Sequence, residues 1–102
     1  GIPVAVGTDA PYGPPDPWVH IAAATDRRTA AGVRVGVGEE VDLRTAVSLL
    51  HRPPLEPHAP PHRLSPGADA DLCVLDTSWS DLQADPATAV VGQTWIGGTR
   101  VC

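Results

Sequence analysis

Lysine, phenylalanine and methionine are absent from this chain, and three tryptophans and one tyrosine are its only aromatics. Without lysine, arginine carries all the fixed positive charge. Lys and Arg together number seven against twelve acids, for a net charge of −5. No basic stripe can form, so nucleic-acid binding is excluded, because affinity for phosphate needs clustered cations. No run of eighteen apolar residues occurs, which excludes a membrane-spanning helix. Cysteine is scarce as well. Cys73 and Cys102 lack metal-type spacing; Cys73, inside an apolar run, reads as a buried free thiol, and no disulfide to Cys102 is expected. No leader is visible. The chain opens on Gly1 instead of Met, which reads as a cut in a longer polypeptide, cytoplasmic in location.

What is present points to one ordinary domain. A chain of 102 residues can bury somewhat over ~60% of its unfolded surface. Twelve prolines and ten glycines predict long loops around a modest core. Residues 2 to 6, Ile-Pro-Val-Ala-Val, read as a strand apolar on both faces, as in a covered parallel sheet. Asp16-Pro17 opens a helix, with Asp as cap and Pro at its first position; Trp18, Ile21, Ala22 and Thr25 share its face. Gly32 to Gly38 reads as short strand or loop. Asp42 caps a second helix whose Leu43, Ala46, Val47 and Leu50 form the apolar stripe, and Pro53-Pro54 stops it. The proline-rich run "PPLEPHAPPH" admits neither helix nor central strand. Beyond it the character is all-β: strands at Leu72–Leu75 and Val90–Ile96, a Gly97-Gly98 hairpin turn, and a return over Thr99–Cys102.

The chemistry-bearing candidates are few. Asp9 follows the first strand inside Gly7-Thr8-Asp9-Ala10-Pro11. At the C-terminal end of a barrel strand, a carboxylate stands where active sites are built; it can ligate Zn²⁺ or take a proton from water. In an ordinary turn the same residue simply bonds its own backbone. His58 and His62 are four apart, but Pro57, Pro60 and Pro61 forbid the helix that would pair them for a metal. His20 and His51 read as surface or packing residues. Gly36-Val37-Gly38 lacks the third glycine of a nucleotide loop, and Glu39-Glu40 would repel phosphate. Asp76-Thr77-Ser78 is close to the Asp-Thr-Gly of aspartic proteases, with Ser78 where Gly is required; the alternative is a strand-end turn. The three tryptophans read as packing anchors whose N–H groups need partners.

In order, "VAVGTDAP", "DPWVHIAAATDRRT", "VDLRTAVSLLHRPP", "LSPGADADLCVLD" and "VVGQTWIGGTRV" resemble the C-terminal part of the amidohydrolase superfamily, of the family-3 metal-dependent type. The resemblance covers nearly the whole chain, and its most specific piece is the tail from Pro66-Gly67 to Gly97-Gly98. It implies an α/β architecture: the C-terminal piece of a (β/α)8 barrel, with the last strand and closing helices in residues 1–62. Strands of a small composite β-sandwich would follow in residues 63–102. It implies hydrolysis of C–N (amide-type) bonds by a metal-activated water, with Asp9 as metal ligand or general base and acid.

The family's His-x-His, its later-strand histidines and its bridging lysine have no counterpart here. The resemblance therefore implies a segment inactive alone, binding no metal by itself. A divalent metal, zinc by family habit, would belong to the full-length enzyme. The partners implied are the remainder of the polypeptide and a small amide-type substrate. The unpaired barrel strand would favour self-association. The competing reading is a non-catalytic composite β-domain acting in folding or self-association.

Overall fold

Asp16 and Asp42 place the two longer helices. The computed structural model describes residues 1–102. Helix α1 spans Pro17–Asp26, with the Asp16 carboxylate accepting from the Trp18 N–H at 2.9 Å and Pro17 in the first turn. Helix α2 spans Leu43–Leu50. Asp42 caps it twice over: one carboxylate oxygen accepts from the Thr45 N–H at 2.9 Å and the other from the Thr45 hydroxyl at 2.8 Å. Each cap satisfies a first-turn donor that the helix itself cannot.

The Thr45 N–H, then its hydroxyl, hold the Asp42 carboxyl below its ordinary value of 3.8. A depressed carboxyl stabilises the fold above its unfolded pKa, and that contribution is lost as pH falls through the folded value. The Thr45 amide resonance of the wild type should therefore titrate with a midpoint below 3.8. In Asp42→Asn, which keeps a capping oxygen but cannot titrate, that transition should vanish. A wild-type midpoint at or above the ordinary value would contradict this.

Helix α1 ends unusually. Arg27 takes the left-handed conformation, φ 55°, where glycine is the common choice, and its N–H reaches the Ala23 carbonyl at 2.8 Å. The side chain compensates by donating to Glu39 at 2.8 Å and to the Val35 carbonyl at 3.3 Å. Residues 27–40 thereby become a closed excursion, with one β-bridge between Arg28 and Arg34 and ion pairs Arg28–Asp26 and Arg34–Glu40. After α2, the proline-rich run is gathered by Arg52, which donates to the Pro57 and Ala59 carbonyls.

The C-terminal half is a three-stranded antiparallel sheet in the order β1 (Leu72–Leu75), β2 (Val91–Ile96), β3 (Thr99–Arg100). Leu72 faces Trp95 and Val74 faces Gln93, with an irregularity between Val74 and Leu75. Gly97 (φ 56°) and Gly98 (φ 78°) make the two-residue turn of the type that needs positive φ twice. The turn is tied back to β1: the Gly97 N–H donates to the Asp71 carboxylate at 2.7 Å and the Gly98 N–H to the Ala70 carbonyl at 3.0 Å. Gly98→Val should cost about 1–2 kcal/mol, the left-handed penalty of an L side chain, read as a lower denaturant midpoint. No change in midpoint would show that the turn tolerates another geometry.

The structure corrects four sequence expectations. Residues 2–6 form no strand. A strand exists only through a ladder, and the segment's backbone is held by one bond, from the Val6 N–H to the Leu49 carbonyl at 3.2 Å. The last barrel strand is therefore not formed within this chain. The half after residue 63 is not all-β, because helix α3 (Trp79–Ala84) and a 3₁₀ turn (Pro86–Thr88) separate β1 from β2. Ser78 starts α3 by accepting from the Asp81 N–H at 3.2 Å while its hydroxyl donates to the Asp81 carboxylate at 2.6 Å. The third strand is shorter than the expected Thr99–Cys102. Cys73 is exposed, on the wall of an open cavity beside β1; both cysteines are free. Strand β2 lies between them, so two strand spacings of about 4.8 Å separate their backbones, beyond the ~7 Å that a disulfide can span.

The core lies where α1, α2 and α3 meet. Ile21, Leu43, Ala46 and Leu82 are its buried members, with Trp18, Val47, Leu50 and Leu75 packed around them. It is small for the chain. The accessible surface is 7290 Å², against about 5,500 Å² for a folded monomer of this mass. The radius of gyration is 14.6 Å, against about 13 Å for a domain of this length. The difference is visible as apolar side chains left in water, among them Ile2 (90% exposed), Val37 (80%) and Leu55 (95%).

Candidate functional site

Asp9 sits where the irregular segment 1–9 turns back toward α1. Its backbone is left-handed, φ 53°, a region that Asp enters more readily than most side chains. That conformation points its carbonyl into the turn, where it accepts from the Tyr12 N–H at 2.9 Å and the Gly13 N–H at 3.1 Å. Gly13 is required there, because a Cβ would collide with the Thr8 carbonyl. Beyond the turn, the His20 ring nitrogen on α1 meets the Pro14 carbonyl at 2.8 Å and fixes the exit of the loop. The backbone carbonyl, and not the side chain, closes the turn. The Asp9 carboxylate is left exposed to solvent and lines none of the four surface cavities.

The other candidates take structural places. Asp76 packs over Gly92, and its N–H bonds the Val90 carbonyl at 2.9 Å. The neighbouring Thr77 hydroxyl donates to the Thr88 carbonyl and accepts from the Val90 N–H. That is a strand-end turn, not a protease dyad. His58 lies in the proline-rich turns. Among the tryptophans, Trp95 donates to the Gln93 side chain at 3.1 Å, while Trp79 lies under the Arg44 guanidinium at 5.6 Å. Two cavities stand where no motif pointed. One of about 520 Å³ is lined by His51, His62, Arg63, Asp69, Asp71 and Cys73, among others. A smaller one beside it shares His51, His62 and Arg63. Their lining residues come from separate elements, so spacing along the chain gives no signal for them.

No group of three His, Cys, Asp or Glu side chains stands close enough to hold a metal ion. Asp9 offers a suitable oxygen donor, but a catalytic zinc keeps three protein ligands. The residues of this chain do not by themselves make a metal centre. No helix is long and apolar enough to cross a membrane.

A sequence model of the amidohydrolase family matches residues 1–102, the whole chain. The chain belongs to the amidohydrolase family, whose members are generally metal-dependent hydrolases. No curated protein and no solved structure matches it.

Proposed function

We propose that this chain is the C-terminal segment of a metal-dependent amidohydrolase that cleaves C–N (amide-type) bonds, and that Asp9 is its proton-transferring carboxylate. The observation carrying the proposal is the pairing of a family match over all 102 residues with a carboxylate left unengaged at the tip of a constrained turn. In this reading residues 1–62 supply the closing helices and the segment that would become the last barrel strand once paired outside these residues, and residues 63–102 hold strands of the composite sandwich. The metal, zinc in this proposal, is held by ligands outside these residues, with Asp9 adding an oxygen donor. When bound it supplies Lewis acidity.

The chemistry of Asp9 follows from its type. Hydrolysis adds a water oxygen to the carbonyl carbon, breaks the C–N bond and delivers a proton to the departing nitrogen. An ionised carboxylate accepts the water proton as the C–O bond forms and returns it to nitrogen as the C–N bond breaks. The Tyr12 and Gly13 N–H groups hold the Asp9 carbonyl, and the carboxylate remains exposed.

The excess surface supports a partner, which in this proposal is the remainder of the polypeptide. Segment 1–9 would gain its ladder there, and the bare apolar side chains their cover. Where that remainder is missing, the same surfaces favour a homo-oligomer. The experiment is metal-dependent hydrolysis of a panel of linear and cyclic amides by the complete polypeptide, wild type against Asp9→Asn. Hydrolysis abolished by the substitution supports the proposal. Unchanged hydrolysis ends the role of Asp9, and an Asp9→Ala that alters stability alone favours a non-catalytic structural module.

A further inference from the structure

Most of the arginines in this chain have partners. Arg27, Arg28 and Arg34 form ion pairs. Arg52 and Arg100 donate to backbone carbonyls. Arg44 and Arg63 have neither an acidic partner nor a carbonyl, and both line one cavity of about 330 Å³, together with His51, His62 and Trp79. No carboxylate lines it, although acids outnumber Lys and Arg twelve to seven in the chain. The local sign of charge is thus opposite to that of the whole molecule.

Two contacts bring these groups together. Arg44 projects from α2 over the Trp79 ring, 5.6 Å from its centre, within the range of a cation–π contact, and no hydrogen-bond partner occupies its guanidinium. The His62 N–H bonds the His51 carbonyl at 2.9 Å, tying the segment that carries Arg63 to the end of α2. The neighbouring cavity carries Asp69 and Asp71; Asp71 is already engaged by the Gly97 N–H at 2.7 Å. Arg63 and the two histidines form the wall common to both cavities.

We propose that the cavity between α2, the 61–63 segment and Trp79 binds an oxyanion, as a free phosphate-like ion or as the anionic group of a small molecule, with Arg44 and Arg63 as its two cationic contacts. A guanidinium fork matches the paired oxygens of such groups in direction as well as charge. The site is separate from Asp9 and does not depend on its role.

The test is calorimetric titration of the complete polypeptide at low ionic strength with inorganic phosphate, and in a second arm with succinate. Saturable phosphate binding is expected. Arg44→Gln or Arg63→Gln should weaken it about tenfold or more, since each removes a charge-assisted contact. Arg100→Gln should leave it unchanged. Arg44→Lys, which keeps the charge but loses the planar fork, should fall between the wild type and Arg44→Gln. Tighter binding of succinate would assign the site to carboxylates rather than phosphate, both being oxyanions. Absence of saturable binding in both arms, or binding indifferent to both arginine substitutions, overturns the proposal.

Discussion

Asp9→Asn should lower kcat of the complete hydrolase by about 10²–10⁴-fold, the usual contribution of a positioned general acid–base group, with KM changed far less. Asn preserves volume and the left-handed preference of Asp, so the turn closed by Tyr12 and Gly13 should survive. What it loses is the ability to carry a proton. A group acting only in the transition state lowers kcat and kcat/KM together. Asp9→Glu extends the side chain on the same backbone and should retain more activity than Asn if proton transfer is the role. If both variants keep wild-type kcat, Asp9 is a turn residue and nothing more. If both raise KM with kcat intact, it binds substrate uniformly and does not assist the chemistry.

Ile21→Ala should destabilise the segment by about 2–5 kcal/mol, the range for deleting a buried Ile side chain down to Ala. The residue is 1% exposed and packed with Leu43, Ala46 and Leu82. Those three come from α2 and α3, so the cavity left behind would lie at the meeting of all three helices. Stability of an ordinary domain is about 5–15 kcal/mol, so a loss of this size removes a large share of it. Val37→Ala is the matched control: Val37 is 80% exposed, and its truncation should stay within about 0.5 kcal/mol. The readout is the urea midpoint together with hydrogen exchange of the α1 amides. A loss below about 1 kcal/mol at Ile21 would mean that the three-helix junction is not the core.

Local signals were the legible ones. Asp16 and Asp42 gave the helix starts because a cap is decided by one side chain and the next three residues. Gly97-Gly98 gave the hairpin because few residue pairs tolerate two positive φ angles. Helix α3 was hidden by its length: six residues bury one apolar side chain, Leu82, too little for a periodic signal. Its Ser78–Asp81 cap was the cue available. Segment 2–6 has the composition of a strand, but pairing is not a property of composition, and no segment among these residues forms a ladder with it. The cationic cavity was illegible for a related reason, because Arg44, His51, His62, Arg63 and Trp79 meet only through the packing of α2 against later segments. Asp9 stood out as a carboxylate just after an apolar run, and the family resemblance supplied its expected role; that its backbone carbonyl closes the turn and leaves the carboxylate free could come only from the structure.

The claim that the chemistry is completed outside these residues is tested most directly by the size of the native polypeptide. An immunoblot against residues 63–102, confirmed by intact mass, measures it in source cells. A species several times heavier than 10.6 kDa is the expected result, with His-x-His after an apolar strand in its upstream sequence. A sole species at 10.6 kDa would contradict the claim, since no complete barrel could then form around Asp9.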